Sequence, residues 1–146
     1  MNVLFLLTPK SDVAFIYDDF SLRQVLEKME FHRYAAIPII THGGKYIGTL
    51  TEGDLLWAIK ENYSLNVRQA EQLKVKDIAR HNDNIALPVS TDINDIIQTA
   101  IDQNFVPLID DRGIFIGIIT RKKIIKYFYD SYVSMQNEES KQDETK

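Results

Sequence analysis

The sequence contains no cysteine, which excludes disulfides, thiolate nucleophiles and cysteine-ligated zinc or iron–sulfur centres. This fits a reducing compartment, and we expect a cytoplasmic protein. Long apolar runs are also missing. The opening run from Met1 to Leu7 is too short to span a bilayer, and it has neither a basic leading segment nor a small-residue cleavage site. We therefore expect packed structure there and no membrane partner.

A strong excess of one charge is absent as well. The chain has 17 Lys and Arg against 21 Asp and Glu, a formal net charge of −4. Residues 135–146 hold four acids and two lysines, so −2 of that total belongs to the end of the chain. Bulk attraction to nucleic acid is not indicated. A chain of 146 residues with 45% hydrophobic residues can form one compact domain or two small halves around an apolar core.

A repeat organises most of the sequence. The run Ala36-Ile37-Pro38-Ile39-Ile40 is matched 69 positions later by Phe105-Val106-Pro107-Leu108-Ile109. In both copies a glycine follows the proline by ten residues and a threonine follows it by thirteen. Further upstream, Val13-Ala14-Phe15-Ile16 is aligned with Ile85-Ala86-Leu87-Pro88, and Ser21 with Asp92. Spacing conserved between two halves of one chain indicates a duplicated structural unit.

Each copy is predicted to form a strand, a helix, two strands and a second helix. The apolar run Val13 to Tyr17 suits a strand, and Ser21 is a suitable N-cap for a helix with apolar positions at helical spacing. Two β-rich runs then flank Gly43-Gly44, which predicts a hairpin. The second helix begins after Thr51, with Asp54 in its first turn.

This arrangement resembles two CBS domains in tandem, over about residues 3–134. The family signature, a hydrophobic-Pro-hydrophobic strand followed by Gly-x-x-Thr/Ser-x-x-Asp, is complete in the first copy as Ile37-Pro38-Ile39 and Gly48 to Asp54. The second copy departs from it, because Lys123 stands where the acid belongs. The resemblance implies an α/β fold, layered as α+β, in which two β-α-β-β-α repeats pack as a pseudo-twofold pair.

The predicted boundaries follow from the repeat. Residues 1–63 are assigned to the first CBS repeat, 64–74 to a linker or short extra helix, and 75–134 to the second repeat. Residues 135–146 are nearly all polar or charged, too poor in apolar side chains to offset the entropy of ordering, so a disordered tail is predicted.

The resemblance also implies that adenine nucleotides bind in clefts between the repeats. In the first copy, Asp54 is a candidate for accepting both ribose hydroxyls, and Thr51 can cap its helix and offer a hydroxyl to the ligand. An adenine ring needs apolar faces and a few main-chain groups. The residues predicted to provide them are Val13, Ala14, Ile16, Ala35, Ala36 and Pro38. Arg33 could reach a phosphate, although a solvated charge is the favoured interpretation.

In the second copy, Ile85, Asn104, Phe105 and Pro107 correspond to the base pocket and Thr120 to the capping threonine. Arg121, Lys122 and Lys123 lie at a helix start, where cations and free N–H groups both attract phosphate. Lys123 in place of the acid fits either a phosphate contact shared with the opposite site or an empty second site. The Thr120-Arg121-Lys122 sequence is similar to that of small Gram-positive CBS proteins that bind cyclic di-AMP. AMP, ADP, ATP and cyclic di-AMP all remain open as ligands.

Structural roles are weighed against these assignments. The prolines, the glycines and Thr51 can each serve the fold alone, and His42-Gly43-Gly44-Lys45 is interpreted as a hairpin turn, since the rest of a phosphate-loop pattern is missing. The three histidines lack metal-ligand spacing. The mixture of cations and aromatics from Arg121 to Tyr132 could bind nucleic acid, but core packing and a dimer face are favoured. Trp57 and Tyr63 indicate similar packing.

The sequence thus predicts a regulatory module. It has no nucleophile–base pair or metal cluster, so no enzyme activity and no required cofactor are expected. We expect a homodimer that transmits adenine-nucleotide binding to an unidentified regulated protein. The alternatives are a ligand-free interaction or scaffold protein and a nucleic-acid-binding regulator.

Overall fold

A computed structural model describes residues 2–61, 67–81 and 83–145 of the protein. Tyr63 and residues 64–66 of the predicted linker lie outside the described residues. The strands are β1 (Thr8–Pro9), β2 (Ile16–Tyr17), β3 (Ala36–Ile40), β4 (Tyr46–Thr51), β5 (Leu87–Pro88), β6 (Phe105–Ile109) and β7 (Phe115–Thr120). The helices are α1 (Leu22–His32), α2 (Glu52–Glu61), α3 (Val67–Gln72), α4 (Ile93–Asp102) and α5 (Arg121–Glu144). Three short 3₁₀ turns span Val3–Leu6, Lys10–Asp12 and Val75–Asp77.

The first repeat has the predicted order of elements. Ser21 begins α1 with a capping box, in which its side chain accepts from the Gln24 N–H and the Gln24 side chain accepts from the Ser21 N–H. The sheet order is β2-β3-β4, with β2 parallel and β4 antiparallel to β3. Because α1 buries Leu22, Val25 and Met29 against this sheet, one apolar core forms.

The second repeat follows the same plan. Asp92 caps α4, and β5 and β7 flank β6 in parallel and antiparallel pairings. The upstream alignment needs a correction of one residue. Ile16 pairs with Ile39 and Leu87 pairs with Leu108, so Ile16 corresponds to Leu87 rather than to Pro88. The strand predicted over Val13 to Tyr17 is also shorter, since only its last two residues pair.

The segments that precede the two repeats cross over. Val3 and Leu6 are buried in the apolar core of the second repeat, and β1 pairs antiparallel with β7. Val75 and Ile78 are buried in the core of the first repeat. Each leading segment therefore completes the repeat that it does not precede along the chain. The packing of the opening run is as expected, although Leu4 and Phe5 on its other side are exposed.

The two hairpins meet at their tips. The Phe115 N–H donates to the Gly44 carbonyl at 2.9 Å, and the Tyr46 N–H donates to the Gly113 carbonyl at 3.3 Å. These two bonds are equivalent under the 69-residue offset of the repeat, so a pseudo-twofold axis passes between the tips. Gly44 has φ of 92° and allows the predicted hairpin turn. A third cluster, with Val13, Ile40 and Phe115 buried, fills the joint between the repeats.

The end of the chain differs from the prediction of a disordered tail. Helix α5 continues without a break to Glu144, although residues 134–145 are exposed. Gln, Glu, Lys and Met predominate there and are good helix formers, so local propensity extends the helix beyond its packed part. None of the helices in the described part of the chain has the length and hydrophobicity needed to cross a membrane.

Gly48 and Gly117, the glycines of the family signature, provide a test of the packing of β1 against the second repeat. At Gly117, which has φ of 154°, an added Cβ would lie 2.2 Å from the Thr8 carbonyl oxygen of β1. At Gly48 it would meet the side-chain ends of Asp83 and Arg80, which can move at the expense of the hydrogen bond from the Thr49 N–H to Asp83. We expect Gly117→Ala to lower the free energy of unfolding by at least about 2 kcal/mol and Gly48→Ala by about 1 kcal/mol, the cost of that bond. Urea denaturation measures both, and equal losses would contradict the role of β1.

Candidate functional site

A cavity of about 270 Å³ lies where the two repeats meet. Its lining residues come from both copies of the repeat: Val13, Arg33, Tyr34, Ala35, Ala36 and Pro38 from the first, and Asn104, Phe105, Ile118 and Thr120 from the second. Eight of these ten are among the predicted site residues. The structure therefore gathers much of the predicted set into one place, with a composition of small and apolar side chains and a few polar groups that suits a small organic ligand.

Local geometry explains why the cavity is open on the side of the first copy. Helix α1 ends at His32 and is followed by its C-cap Arg33, which adopts the left-handed conformation with φ of 58° and is exposed. The chain then enters β3 through Ala35 and Ala36, whose methyl groups leave space. The Ala35 carbonyl accepts from the Glu52 N–H at 2.9 Å, which fixes the strand to the start of α2. On the opposite side, buried Phe105 provides an aromatic wall.

The polar edge of the cavity lies at the start of α5. The Thr120 side chain caps this helix by accepting from the Lys123 N–H at 3.2 Å. Lys122 and Lys123 are exposed in the first turn that follows. A helix start of this kind combines the positive end of the helix dipole with two cationic side chains, and both favour an anionic group.

Asp54, the candidate for accepting ribose hydroxyls, is buried and is not among the residues that line this cavity. It is 1% exposed, and it lines a separate small crevice with Ala58, Leu73 and Ile78 rather than the cavity. Its carboxylate accepts from the Thr51 N–H and the His81 N–H, each at 3.0 Å, while the Thr51 side chain accepts from the Asp54 N–H. Thr51 therefore caps α2 as predicted. The expected pairing of Asp54 with the base pocket of its own copy is not formed, because that pocket faces the helix start of the other copy.

Arg121 is also engaged elsewhere. Its guanidinium donates from Nε to the Ala100 carbonyl at 2.8 Å and from Nη2 to the Ile101 carbonyl at 3.2 Å, near the end of α4. Carbonyls at the end of a helix lack intrahelical partners, and a cation satisfies them well. Arg121 thus joins α4 to α5 and is not placed for the predicted phosphate contact.

Seven other predicted residues are not among the lining residues: Thr51, Lys122 and Lys123 at the helix starts, and Ala14, Ile16, Pro107 and Ile85. Ala14 and Ile16 are buried in the first apolar core, and Pro107 is buried within β6. Ile85 is 63% exposed, and its main chain is bonded to the side chain of Gln103. The period-two alternation of a strand explains part of this outcome, because neighbouring side chains point to opposite faces.

Tyr34 and Ile118 line the cavity and were not predicted. The available signal was their place in the motifs, since Tyr34 lies between Arg33 and Ala35 and Ile118 follows the signature glycine. A polar network around Tyr46 was also not predicted. Its hydroxyl contacts Thr49 Oγ1 at 2.7 Å and donates to the Asn84 carbonyl at 3.0 Å, and Asp83 accepts from the Thr49 N–H at 2.9 Å.

A cluster of ligand-type atoms occurs at the first hairpin, formed by Asp18, Asp19 and His42. His42 contacts Asp19 at 2.8 Å and stacks on Tyr17 with ring centroids 4.2 Å apart. The hydrogen bond from His42 lowers the pKa of Asp19. Asp19 and His42 are exposed, and their hydrogen bond accounts for the proximity of these two groups without a metal ion.

Asp54 is predicted to stabilise the fold. Removing its carboxylate leaves the Thr51 and His81 N–H groups without their acceptor, and Asp54→Ala should lower the free energy of unfolding by about 2–3 kcal/mol. Lys123→Ala is the matched control, because this exposed residue has the same position in the second copy and should cost less than about 0.5 kcal/mol. Chemical denaturation at neutral pH measures both. Similar values for the two variants would refute the structural role of Asp54.

Tyr46 is predicted to make stability depend on alkaline pH. Burial raises the pKa of Tyr46 to about 12, above the value of about 10 for a free tyrosine. Its protonated form is thus favoured in the folded state, and this stabilisation is complete below about pH 10 and is lost as the pH rises to about 12. The difference in unfolding free energy between the wild type and Tyr46→Phe should fall by about 1 kcal/mol between pH 8 and pH 11. A constant difference would contradict this assignment.

Comparisons with known proteins agree with this architecture. A crystal structure of CbpB in complex with c-di-AMP matches with a TM-score of 0.83 and 25% identity, over 94% of this chain and 91% of that chain. A structure of CBSX2 in complex with AMP matches with a TM-score of 0.72 at 19% identity, over 90% and 98% of the two chains, which is a likeness of fold alone. The uncharacterized protein MJ1426 of Methanocaldococcus jannaschii is 24% identical over 76% of this chain and 83% of its own length.

The family comparison assigns both halves of the chain. The family model described as CBS domain matches residues 6–61 and again residues 75–130. These two matches coincide with the two repeats of strands and helices in the structure. The chain belongs to the CBS domain family, as a tandem pair of CBS domains.

Proposed function

We propose that this protein is a regulatory CBS pair that binds an adenine nucleotide in the cavity between its repeats and transmits binding to a partner protein. The observation that carries the proposal is the cavity of about 270 Å³ that has walls from both repeats. A ligand in contact with both walls has a different affinity for each relative placement of the repeats. Binding can then shift the balance between those placements, which is the requirement for regulation.

The apolar walls suit the base. Val13, Ala35, Ala36 and Pro38 offer small or flat apolar surfaces, with the rings of Tyr34 and Phe105 nearby. An adenine ring is flat and largely apolar on its faces, so burial between such groups removes unfavourable contact with water. The Asn104 side chain adds an amide that can donate and accept hydrogen bonds at the ring edge.

The polar edge suits phosphate better than ribose. The helix start at the cavity belongs to the second repeat, where Lys123 replaces the signature acid and Thr120 caps α5. Arg33 is an exposed cation among the residues that line the cavity. Cyclic di-AMP carries two bases and two phosphates, and the likeness to CbpB, crystallised with c-di-AMP, supports this ligand among the adenine nucleotides. AMP, ADP and ATP share the same chemical groups and are the alternatives.

The proposal includes a homodimer, a cytoplasmic location and no catalysis. Exposed apolar side chains on α2 and α5, among them Trp57, Phe128, Tyr129 and Tyr132, form faces that a second copy can cover. Burial of such aromatic surface is the main driving force of association. Since CBS pairs are typically regulatory, the state of the ligand would be transmitted through such contacts to the regulated protein.

A cavity-filling variant tests the proposal. Ala35→Leu places a larger side chain in the cavity wall, and it should weaken cyclic di-AMP and AMP binding at least about tenfold. Ala79→Leu is the control, since Ala79 is also exposed and lies outside this cavity. Isothermal titration calorimetry, with ADP and ATP in parallel, measures the affinities. Absence of binding by the wild type to all four nucleotides would refute the proposal and favour a ligand-free interaction protein.

A further inference from the structure

The pseudo-twofold axis implies a second cleft, related to the cavity by exchange of the two copies. The offset of the strands relates Tyr34 to Gln103 and Thr51 to Thr120. The offset of the upstream segment, fixed by the pairing of Ile16 and Leu87, relates Ala14 to Ile85. The second cleft therefore combines Ile85 and Gln103 of the second copy with the helix start of the first at Thr51. It is the cleft nearest the intact signature acid.

In the second cleft, the chain satisfies its own hydrogen-bonding groups. The Gln103 side chain is 8% exposed. Its Oε1 accepts from the Ile85 N–H at 2.9 Å, and its Nε2 donates to the Ile85 carbonyl at 3.0 Å and to the Phe105 carbonyl at 2.9 Å. One amide thus takes both main-chain groups of Ile85, a residue whose own side chain is exposed.

The Gln103 side-chain amide presents the same hydrogen-bonding groups to Ile85 as the edge of an adenine ring would. Adenine presents an amino donor next to a ring-nitrogen acceptor, and a glutamine amide presents an N–H donor next to a carbonyl acceptor. The N–H and carbonyl of an extended residue can pair with either group in the same way. We infer that Gln103 closes the second cleft by taking the main-chain contacts of an adenine, so that each chain binds one adenine nucleotide, in the open cavity. This inference rests on the proposed function.

Two further sets of bonds hold the closed cleft. Tyr46 reaches the Asn84 carbonyl, and Asp83 accepts from the Thr49 N–H, so the segment before β5 is fixed against β4. The Asn84 side chain also donates to the Phe105 carbonyl at 3.3 Å. In the open cavity the counterpart of Gln103 is Tyr34, whose ring carries one hydroxyl and no adjacent donor and acceptor. No hydrogen bond from a described side chain to the Ala14 main chain takes the corresponding place.

Binding stoichiometry tests the inference. With AMP as the probe, the wild type should bind one molecule per chain in isothermal titration calorimetry. Gln103→Ala frees the Ile85 N–H and carbonyl, and the number should rise to two per chain. Gln98→Ala is the control, because this glutamine is exposed on α4, the helix that Gln103 directly follows, and should leave the number at one. Two molecules per wild-type chain, or one per folded Gln103→Ala chain, would overturn the inference while leaving the proposed function intact.

A second measurement applies if Gln103→Ala fails to fold, which its thermal unfolding curve would show. Photo-crosslinking of the wild type with 8-azidoadenosine monophosphate should label peptides containing residues 33–38 and leave those containing residues 83–87 unlabelled. Labelling of residues 83–87 would overturn the inference alone. Absence of AMP-protected labelling, together with absence of calorimetric binding to all four nucleotides, would overturn the proposed function, and the inference with it.

Discussion

The structure depends on an exchange of apolar segments between its two repeats. Val3 and Leu6 fill the core of the second repeat, and Val75 and Ile78 fill the core of the first. A repeat of this size can bury only a modest apolar area alone, so each core gains a substantial part of its stabilisation from the other half of the chain. The hairpin tips add matched hydrogen bonds on the pseudo-twofold axis. The pair, rather than the single repeat, is therefore the unit that forms the cavity.

A duplicated sequence has produced two unequal clefts. The open cavity has Tyr34 on one side and the helix start with Lys123 on the other, whereas the opposite cleft has Gln103 and the helix start with Asp54. Asp54 is directed to main-chain N–H groups, where a carboxylate stabilises the fold without contacting solvent. A few residue differences between the copies thus separate a cavity able to hold a small molecule from a cleft filled by the chain itself. Main-chain groups that already bond to a side chain of the protein are not available to a ligand.

The placement of the cavity connects the architecture to the regulatory function that we propose. Its walls belong to both repeats, and the joint beside it is filled by Val13, Ile40 and Phe115. A tightly packed joint does not deform continuously, so a ligand that contacts both walls favours one discrete packing over another. The exposed faces of α2 and α5 are continuous with the helix starts at the clefts, which gives a short physical path from the ligand to a surface that another protein can contact.

The sequence alone determined the local elements and the repeat. Ser21 and Thr51 are helix caps, Gly44 turns the first hairpin, and Val13, Ala35 and Asn104 line the cavity as their motif positions predicted, because caps, turns and alternation depend on neighbours along the chain. Tertiary structure alone decided which base pocket lies next to which helix start. The crossing of the leading segments brings the pocket of one copy to the helix start of the other, and it places the His81 N–H on Asp54. Such pairings depend on contacts distant in sequence, for which local patterns carry no signal. The end of α5 is a case in which two local signals disagree. The polar composition of residues 135–146 predicted disorder, but their helix propensity extends α5 to Glu144 without burial.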